Sequence, residues 1–277
     1  VLKNIGGAAG AKRVGTDALS PTFGQRLPMA SPKAELVDGE EAMRTARRIK
    51  TAEEIAALRG ALTVAEDGLA AAVAELAPGI SEQQLTGVML EAMAAGGVST
   101  SATQDGAWIT PRDHAWRVGR RDRRIAEGDL VAFASGALAG GYVGEVGRTW
   151  PVGDVPGADA LYRRSNELWD RLVETCRPGE PASDLFAAYE AVGEELPPMP
   201  VAHGLGLGFD PPVITPDLAR TSAAERLDPG MVLAITAYVW EAGVGAVFRR
   251  DAVLVTETGA EVLTVSPVPA QAAAGIS

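Results

Sequence analysis

From Thr51 onward the apolar residues Ile55, Leu58, Leu62, Leu69, Val73 and Leu76 recur at helical spacing, so one face of a helix is turned to a core. Thr51 and Glu54 stand three residues apart at its start, the signature of a reciprocal cap, and Pro78-Gly79 ends it. A second cap, Ser81 with Gln84, opens another helix whose apolar stripe is Leu85, Val88 and Met93 and which stops at Gly96-Gly97. The pattern then changes to extended runs from Leu130 to Ala134 and from Tyr142 to Trp150, joined across Gly140-Gly141 as in a hairpin. Helices follow near Ala160 to Cys176 and Ser183 to Leu196, and strands at Met231 to Trp240 and Ala246 to Thr256 close the chain. Residues 1 to about 43 carry turn signals at Gly6-Gly7, Ser20-Pro21 and Ser31-Pro32 and read as loops and short elements.

The order helix, Pro-Gly, helix, strands occurs twice. Pro78-Gly79 with Leu85 is echoed by Pro178-Gly179 with Leu185, 100 residues later. This predicts an α+β domain of duplicated helix-helix-sheet halves, with helices covering one face of a mostly antiparallel sheet. Composition supports a globular chain: 47% of its 277 residues are hydrophobic and 22% charged. The net charge of -11 disfavours nucleic acid, since the basic residues cluster only at Arg117, Arg120, Arg121, Arg123 and Arg124. No apolar run is long enough to span a membrane and the start lacks a signal-peptide layout, so a cytoplasmic location is expected. The lone Cys176 allows neither an intrachain disulfide nor a cysteine-rich zinc site.

The segment Arg48-Ile49-Lys50-Thr51-Ala52-Glu53-Glu54-Ile55 is followed by Gly128-Asp129-Leu130-Val131, Gly141-Tyr142 with Arg148-Thr149, and His203-Gly204-Leu205-Gly206. Pro229-Gly230-Met231-Val232-Leu233 and Asp251-Ala252-Val253-Leu254-Val255-Thr256 complete the series. In this order the motifs resemble the pita-bread family of aminopeptidase P, prolidase and creatinase. The resemblance implies a catalytic-type domain over 44–277, with 1–43 as a remnant of the family's N-terminal domain and its linker. It also implies a homodimer, with the missing N-terminal piece as a separate or cleaved polypeptide.

Family members bind two divalent ions through two aspartates, a histidine and two glutamates. By the resemblance these positions fall on Ala134, Glu145, His203, Thr236 and Arg250. Alanine offers no ligand and arginine brings positive charge, so no metal and no other cofactor is expected. His114 falls where the family carries a substrate-facing histidine, and with His203 it accounts for both histidines of the chain. His114, His203 and Glu145 are therefore the candidate catalytic residues. Glu145 is read as a general base if burial raises its pKa, or as a hydrogen-bond partner of either histidine; a solvated strand-edge glutamate is the plain alternative.

Arg250 would meet a substrate carboxylate or a developing oxyanion, or else pair with Glu145 across the former metal site. Asp210 takes a family histidine position and would orient a histidine or receive a substrate cation; equally, it would cap the turn before Pro211. Tyr142, Trp108, Tyr238 and Thr236 are expected to line the substrate pocket, although strand aromatics are often simply packed. The expected function is a creatinase-like, hydrolase-type enzyme without a metal. It would act on a C–N bond of a small carboxylate-bearing substrate, by hydrolysis or by elimination or isomerisation through histidine proton transfer. The alternatives are a catalytically silent binding module and, further off, a metal-dependent Xaa-Pro-type aminopeptidase.

Overall fold

A computed structural model describes residues 11–16, 20–30, 34–98, 100–102, 106–116, 122–218 and 225–269. The turns read at Gly6-Gly7 and Ser31-Pro32, and Arg117, Arg120 and Arg121, lie outside these. The contacts divide the chain into two units, Val1–Arg47 and Arg48–Ser277. The first is more regular than its turn signals suggest. It holds a parallel pair of strands, β1 (Arg13–Thr16) and β2 (Glu35–Asp38), and two helices, α1 (Pro21–Ala30) and α2 (Glu40–Arg48). Pro21 is not a break but the first residue of α1, where its missing N–H costs nothing.

The second unit opens with α3 (Ala52–Ala74) and α4 (Glu82–Ala95). Both predicted capping boxes are formed, Thr51 with Glu54 and Ser81 with Gln84. Next come β3 (Gly106–Ile109), β4 (Leu130–Ala139) and β5 (Tyr142–Pro151), then α5 (Ala158–Thr175) and α6 (Asp184–Val192). The chain continues through β6 (Ala202–Leu205), β7 (Phe209–Ile214), β8 (Val232–Glu241), β9 (Gly245–Val255) and β10 (Ala260–Val262). Helix α6 is shorter than the apolar pattern suggested because Gly193 takes a left-handed φ of 73° and ends it. Strand β4 runs past Ala134 because its small residues pair with the whole of β5.

These strands form one sheet in the order β3-β4-β5-β9-β8-β6-β7, with β10 on β9. The two long hairpins meet along β5 and β9, where Gly147 stands opposite Arg250. Phe248 N–H donates to Thr149 Oγ1 beside it at 2.8 Å. Because side chains alternate between faces of a strand, each register fixes a face. One face carries Val131, Phe133 and Val146, which pack on Leu69 of α3 and on Leu85, Met89 and Met93 of α4. In the other half Leu233, Ile235, Val253 and Val255 pack on Leu161, Leu168 and Leu172 of α5 and on Leu185 and Tyr189 of α6. Leu85 and Leu185 are both fully buried, each worth roughly 1.5–3 kcal/mol.

The duplication hinted at by Pro-Gly and Leu extends to atomic detail. Gly79 N–H donates to Ile125 at 2.8 Å, and Gly179 N–H donates to Leu227 at 2.7 Å. Arg124 Nη1 donates to the Gly79 carbonyl and Arg226 Nη1 to the Gly179 carbonyl, each at 2.6 Å. Each half thus ties its helix-to-helix turn to the segment leading into its hairpin with the same arginine clasp.

Helix α3 lies so close to β5 that a Cβ on Gly144 would overlap the backbone nitrogen of Leu62. Helix backbone cannot swing aside as a side chain does. Gly144→Ala is therefore expected to cost about 1–3 kcal/mol. Urea denaturation would show it, and an unchanged midpoint would mean that α3 moves freely over the sheet.

Candidate functional site

The site lies on the sheet face turned away from the core helices. Across β4, β5, β9 and β8 the register sets Ala134 opposite Gly147, Gly147 opposite Arg250, and Arg250 opposite Thr236. Glu145 shares the face of Gly147, two residues along, and His203 on β6 stands opposite Ala234 on the face of Thr236. The fold thus gathers the five positions that the motifs matched to metal ligands onto one patch.

Their side chains interact directly. Arg250 Nη1 is 3.1 Å from Glu145 Oε2 and its Nε donates to Thr236 Oγ1 at 3.1 Å. His203 Nε2 lies 3.4 Å from the same Glu145 oxygen. Glu145, His203 and Thr236 are buried and the Arg250 side chain is 13% exposed. The Arg250–Glu145 pair expected from the sequence is therefore formed, and the solvated strand-edge reading of Glu145 is excluded. Burial pushes the Glu145 carboxyl up, but His203 and the Arg250 guanidinium outweigh it and hold the pKa below its usual value. This corrects the reading of Glu145 as a general base raised toward neutrality: it is a carboxylate that partners His203. Burial pushes His203 down, against the opposing pull of Glu145, so the imidazole is neutral near pH 7.

Both groups have folded pKa values below the usual ones, so both states agree in protonation at high pH and the unfolded chain binds more protons as pH falls. Stability is then fully present above about pH 6.5, the ordinary value for histidine, and is lost below it. A further loss begins near the usual carboxylate value of 4.5 through Glu145. Each uncompensated proton contributes a slope approaching about 1.4 kcal/mol per pH unit. Denaturation midpoints from pH 7.5 to 5 should fall in the wild type and flatten between 6.5 and 5 in His203→Gln. Equal slopes in the two proteins would exclude His203 as the titrating group.

The remaining candidates separate into groups. Trp108 on β3 and Tyr238 on β8 form an apolar floor with Ala132, Ala134, Ala246 and Phe248. Arg250 sits 5.2 Å from the centre of the Phe248 ring, whose place over the sheet exists because Gly147 has no side chain to fill it. Tyr238 Oη donates to the Ala115 carbonyl, and Trp116 packs edge-on against both Trp108 and Tyr238. His114, two residues before Trp116, is exposed and lies 2.6 Å from Asp113. It is thus paired with its neighbour on that bend, apart from the Glu145 cluster.

Asp210 is neither a simple turn cap nor an open cation site. Its carboxylate is buried 3.4 Å from the ammonium of Lys50, folding over Gly206 where any Cβ would collide with it. Tyr142 donates to Glu54 Oε1 at 3.0 Å, linking β5 to the cap of α3. The sequence reading overlooked Lys50, Met199 and Phe248. Period-two alternation from Arg250 would have found Phe248; nothing local marks Lys50 or Met199.

The family's two-metal centre does not fit these residues. Of the five positions only Glu145 and His203 carry ligands of the family's kind, Thr236 offers no more than a neutral hydroxyl, and the Arg250 guanidinium occupies the carboxylate that would bind first. Among the described residues no three His, Cys, Asp or Glu side chains group where an ion could be held.

Two helix-helix-hairpin halves whose long strands meet at such a patch define a protein of the pita-bread class. The chain belongs to metallopeptidase family M24, whose model matches residues 56–257. Among its relatives, the dimethylsulfoniopropionate lyase DddP of Roseovarius nubinhibens is 30% identical, over 84% of this chain and 55% of that protein. The Xaa-Pro dipeptidase of Pyrococcus furiosus is 29% identical over 81% of this chain and 65% of that protein. The chain therefore spans less than two thirds of the length of either. The prolidase structure from Pyrococcus horikoshii superposes with a TM-score of 0.81 at 25% identity, covering 93% of this chain and 75% of that one. The X-Pro aminopeptidase of Thermotoga maritima shares the fold, with a TM-score of 0.83 at 18% identity.

Proposed function

We propose that the chain is a metal-independent, creatinase-like enzyme acting on a C–N bond of a small carboxylate-bearing substrate. One observation carries the reading: a guanidinium, Arg250, stands among the former ligand positions and is held by Glu145 and Thr236. A fixed cation there supplies the charge that a metal would otherwise bring to a carboxylate or oxyanion. Its Nη2 has a weaker partner in Met199 Sδ at 3.8 Å, so it retains donor capacity for a ligand. Neutral His203, fixed by Glu145, would position the reacting group. His114, exposed to water beside Asp113, would serve as the proton shuttle, with Tyr238, Trp108 and Thr236 lining the pocket.

Without a Lewis acid an ordinary peptide bond is a poor target, and an activated amide or an elimination is more accessible. The relative named as a lyase of dimethylsulfoniopropionate acts on a small carboxylate, which agrees with elimination as one of the reaction types. Assembly as a homodimer, in a cytoplasmic setting, belongs to the same proposal.

A second reading, a silent binding module, is favoured by the closure of the cluster, whose charges already satisfy one another. Chelator-treated protein screened against small amide, guanidino and carboxylate compounds separates the two. The enzyme reading expects turnover that survives the chelator and disappears in His114→Ala. Binding without turnover, weakened but not lost in that variant, would establish the module, and turnover that requires added Mn, Co or Zn would overturn metal independence.

A further inference from the structure

The Trp108 indole N–H is buried and makes no hydrogen bond among the described residues. The other tryptophan of this sheet face shows what is usual: Trp240 Nε1 donates to the Pro111 carbonyl at 2.9 Å. An unpaired buried donor costs roughly 1–3 kcal/mol, and an indole has no second polar role to justify it. Its surroundings are rings and methyl groups: Trp116 at 5.2 Å, Phe248 at 5.5 Å, Ala132 and Ala134. A ring face is at best a second-order acceptor. Phenylalanine or leucine would fill the same place without the cost.

The Phe248 ring that touches Trp108 is the ring on which Arg250 rests, 5.2 Å from its centre. Arg250 Nη2 has the weaker partner already noted, a methionine sulfur. Two under-used donors, one cationic and one neutral, thus flank a single aromatic floor, and the positions between them in the sheet, Ala134 and Gly147, carry one methyl and no side chain. Trp116, half-buried on an irregular segment, packs edge-on against Trp108.

We propose that Trp108 Nε1 is a specificity donor of this site. It takes the uncharged carbonyl oxygen of a small acid whose carboxylate is held by Arg250, with the Trp116 ring moving aside to admit it. The ligand class is a short carboxylate bearing a ketone or amide oxygen a few bonds from the acid group. This rests on the carboxylate reading of Arg250 given above and adds a second point of recognition to it.

The test compares 4-oxopentanoate with pentanoate, which differ only by the carbonyl oxygen. Binding to the full chain is measured calorimetrically and through the indole N–H resonances in nitrogen-15 spectra, with the Trp108 signal assigned by its loss in Trp108→Phe. The oxo acid should bind at least tenfold more tightly than pentanoate and move the Trp108 indole proton downfield. Trp108→Phe should abolish that preference, so that the two acids bind equally, and should not lower the unfolding midpoint. Trp116→Ala should keep the preference.

Equal affinity for the two acids in the wild type, or a Trp108 resonance unmoved at saturation, would overturn the Trp108 inference while leaving the Arg250 reading intact. A lowered midpoint in Trp108→Phe with the preference retained would make the indole purely structural. Failure of both acids to bind would remove the Arg250 reading and this inference with it.

Discussion

Replacing Asp251 by asparagine is expected to lower the stability of the domain by about 3–5 kcal/mol. The carboxylate is completely buried on the helix-facing side of β9, directly behind the site. Its Oδ1 accepts from Arg148 Nη2 at 2.5 Å and from Thr264 at 2.6 Å, and its Oδ2 from Arg249 Nε at 2.7 Å. Burial opposes its ionisation, but the two guanidinium groups hold the pKa below the usual value. Asparagine keeps the shape and removes the charge, leaving two inward-facing cations with no anion between them. One of them, Arg249, also lies over the Trp169 ring of α5 at 4.1 Å, so the disturbance reaches the helix layer. Since a domain has only about 5–15 kcal/mol to lose, the variant should melt far below the wild type, whereas exposed Glu53→Gln should change stability by less than about 0.5 kcal/mol. Thermal and urea unfolding of both variants checks this. A small loss in Asp251→Asn would mean that water already reaches the pair.

Arg250→Met should act on both stability and binding. It leaves Glu145 buried with His203 as its remaining partner, at an expected cost of about 3 kcal/mol near pH 7. That cost should shrink toward pH 5, because Glu145 without the guanidinium takes up a proton at higher pH than before. The affinity for small carboxylates should fall roughly 10- to 100-fold, the worth of a charged hydrogen bond. Calorimetric titration with pentanoate and denaturation at both pH values measure the two effects separately. If stability falls while affinity holds, Arg250 is only the partner of Glu145.

What the sequence revealed and what it hid follow from how far each interaction reaches along the chain. The capping boxes at Thr51 and Ser81 and the hairpin turn at Gly140-Gly141 are local and were read correctly. The short strands β3, β6, β7 and β10 were not, because four to six residues seldom complete a recognisable period and their pairing partners lie far away. The gathering of Ala134, Glu145, His203, Thr236 and Arg250 was legible through motif order alone, and the register confirms their shared face. The sign of the Glu145 shift was not, since it depends on two cross-strand neighbours overriding burial. Lys50 and Asp210, 160 residues apart, gave no signal, because nothing near a lysine announces that its ammonium will be buried.

The linkage of Arg250 to Glu145 and Thr236 also bears on how such a chain can change over generations. Replacing Arg250 by glutamate would set two carboxylates together beside His203 without the guanidinium, and Thr236 would still offer only a hydroxyl. That variant loses the charge balance of the present site without gaining a family ligand set. The three residues therefore constrain one another, and a two-metal centre lies several simultaneous substitutions away from this chain.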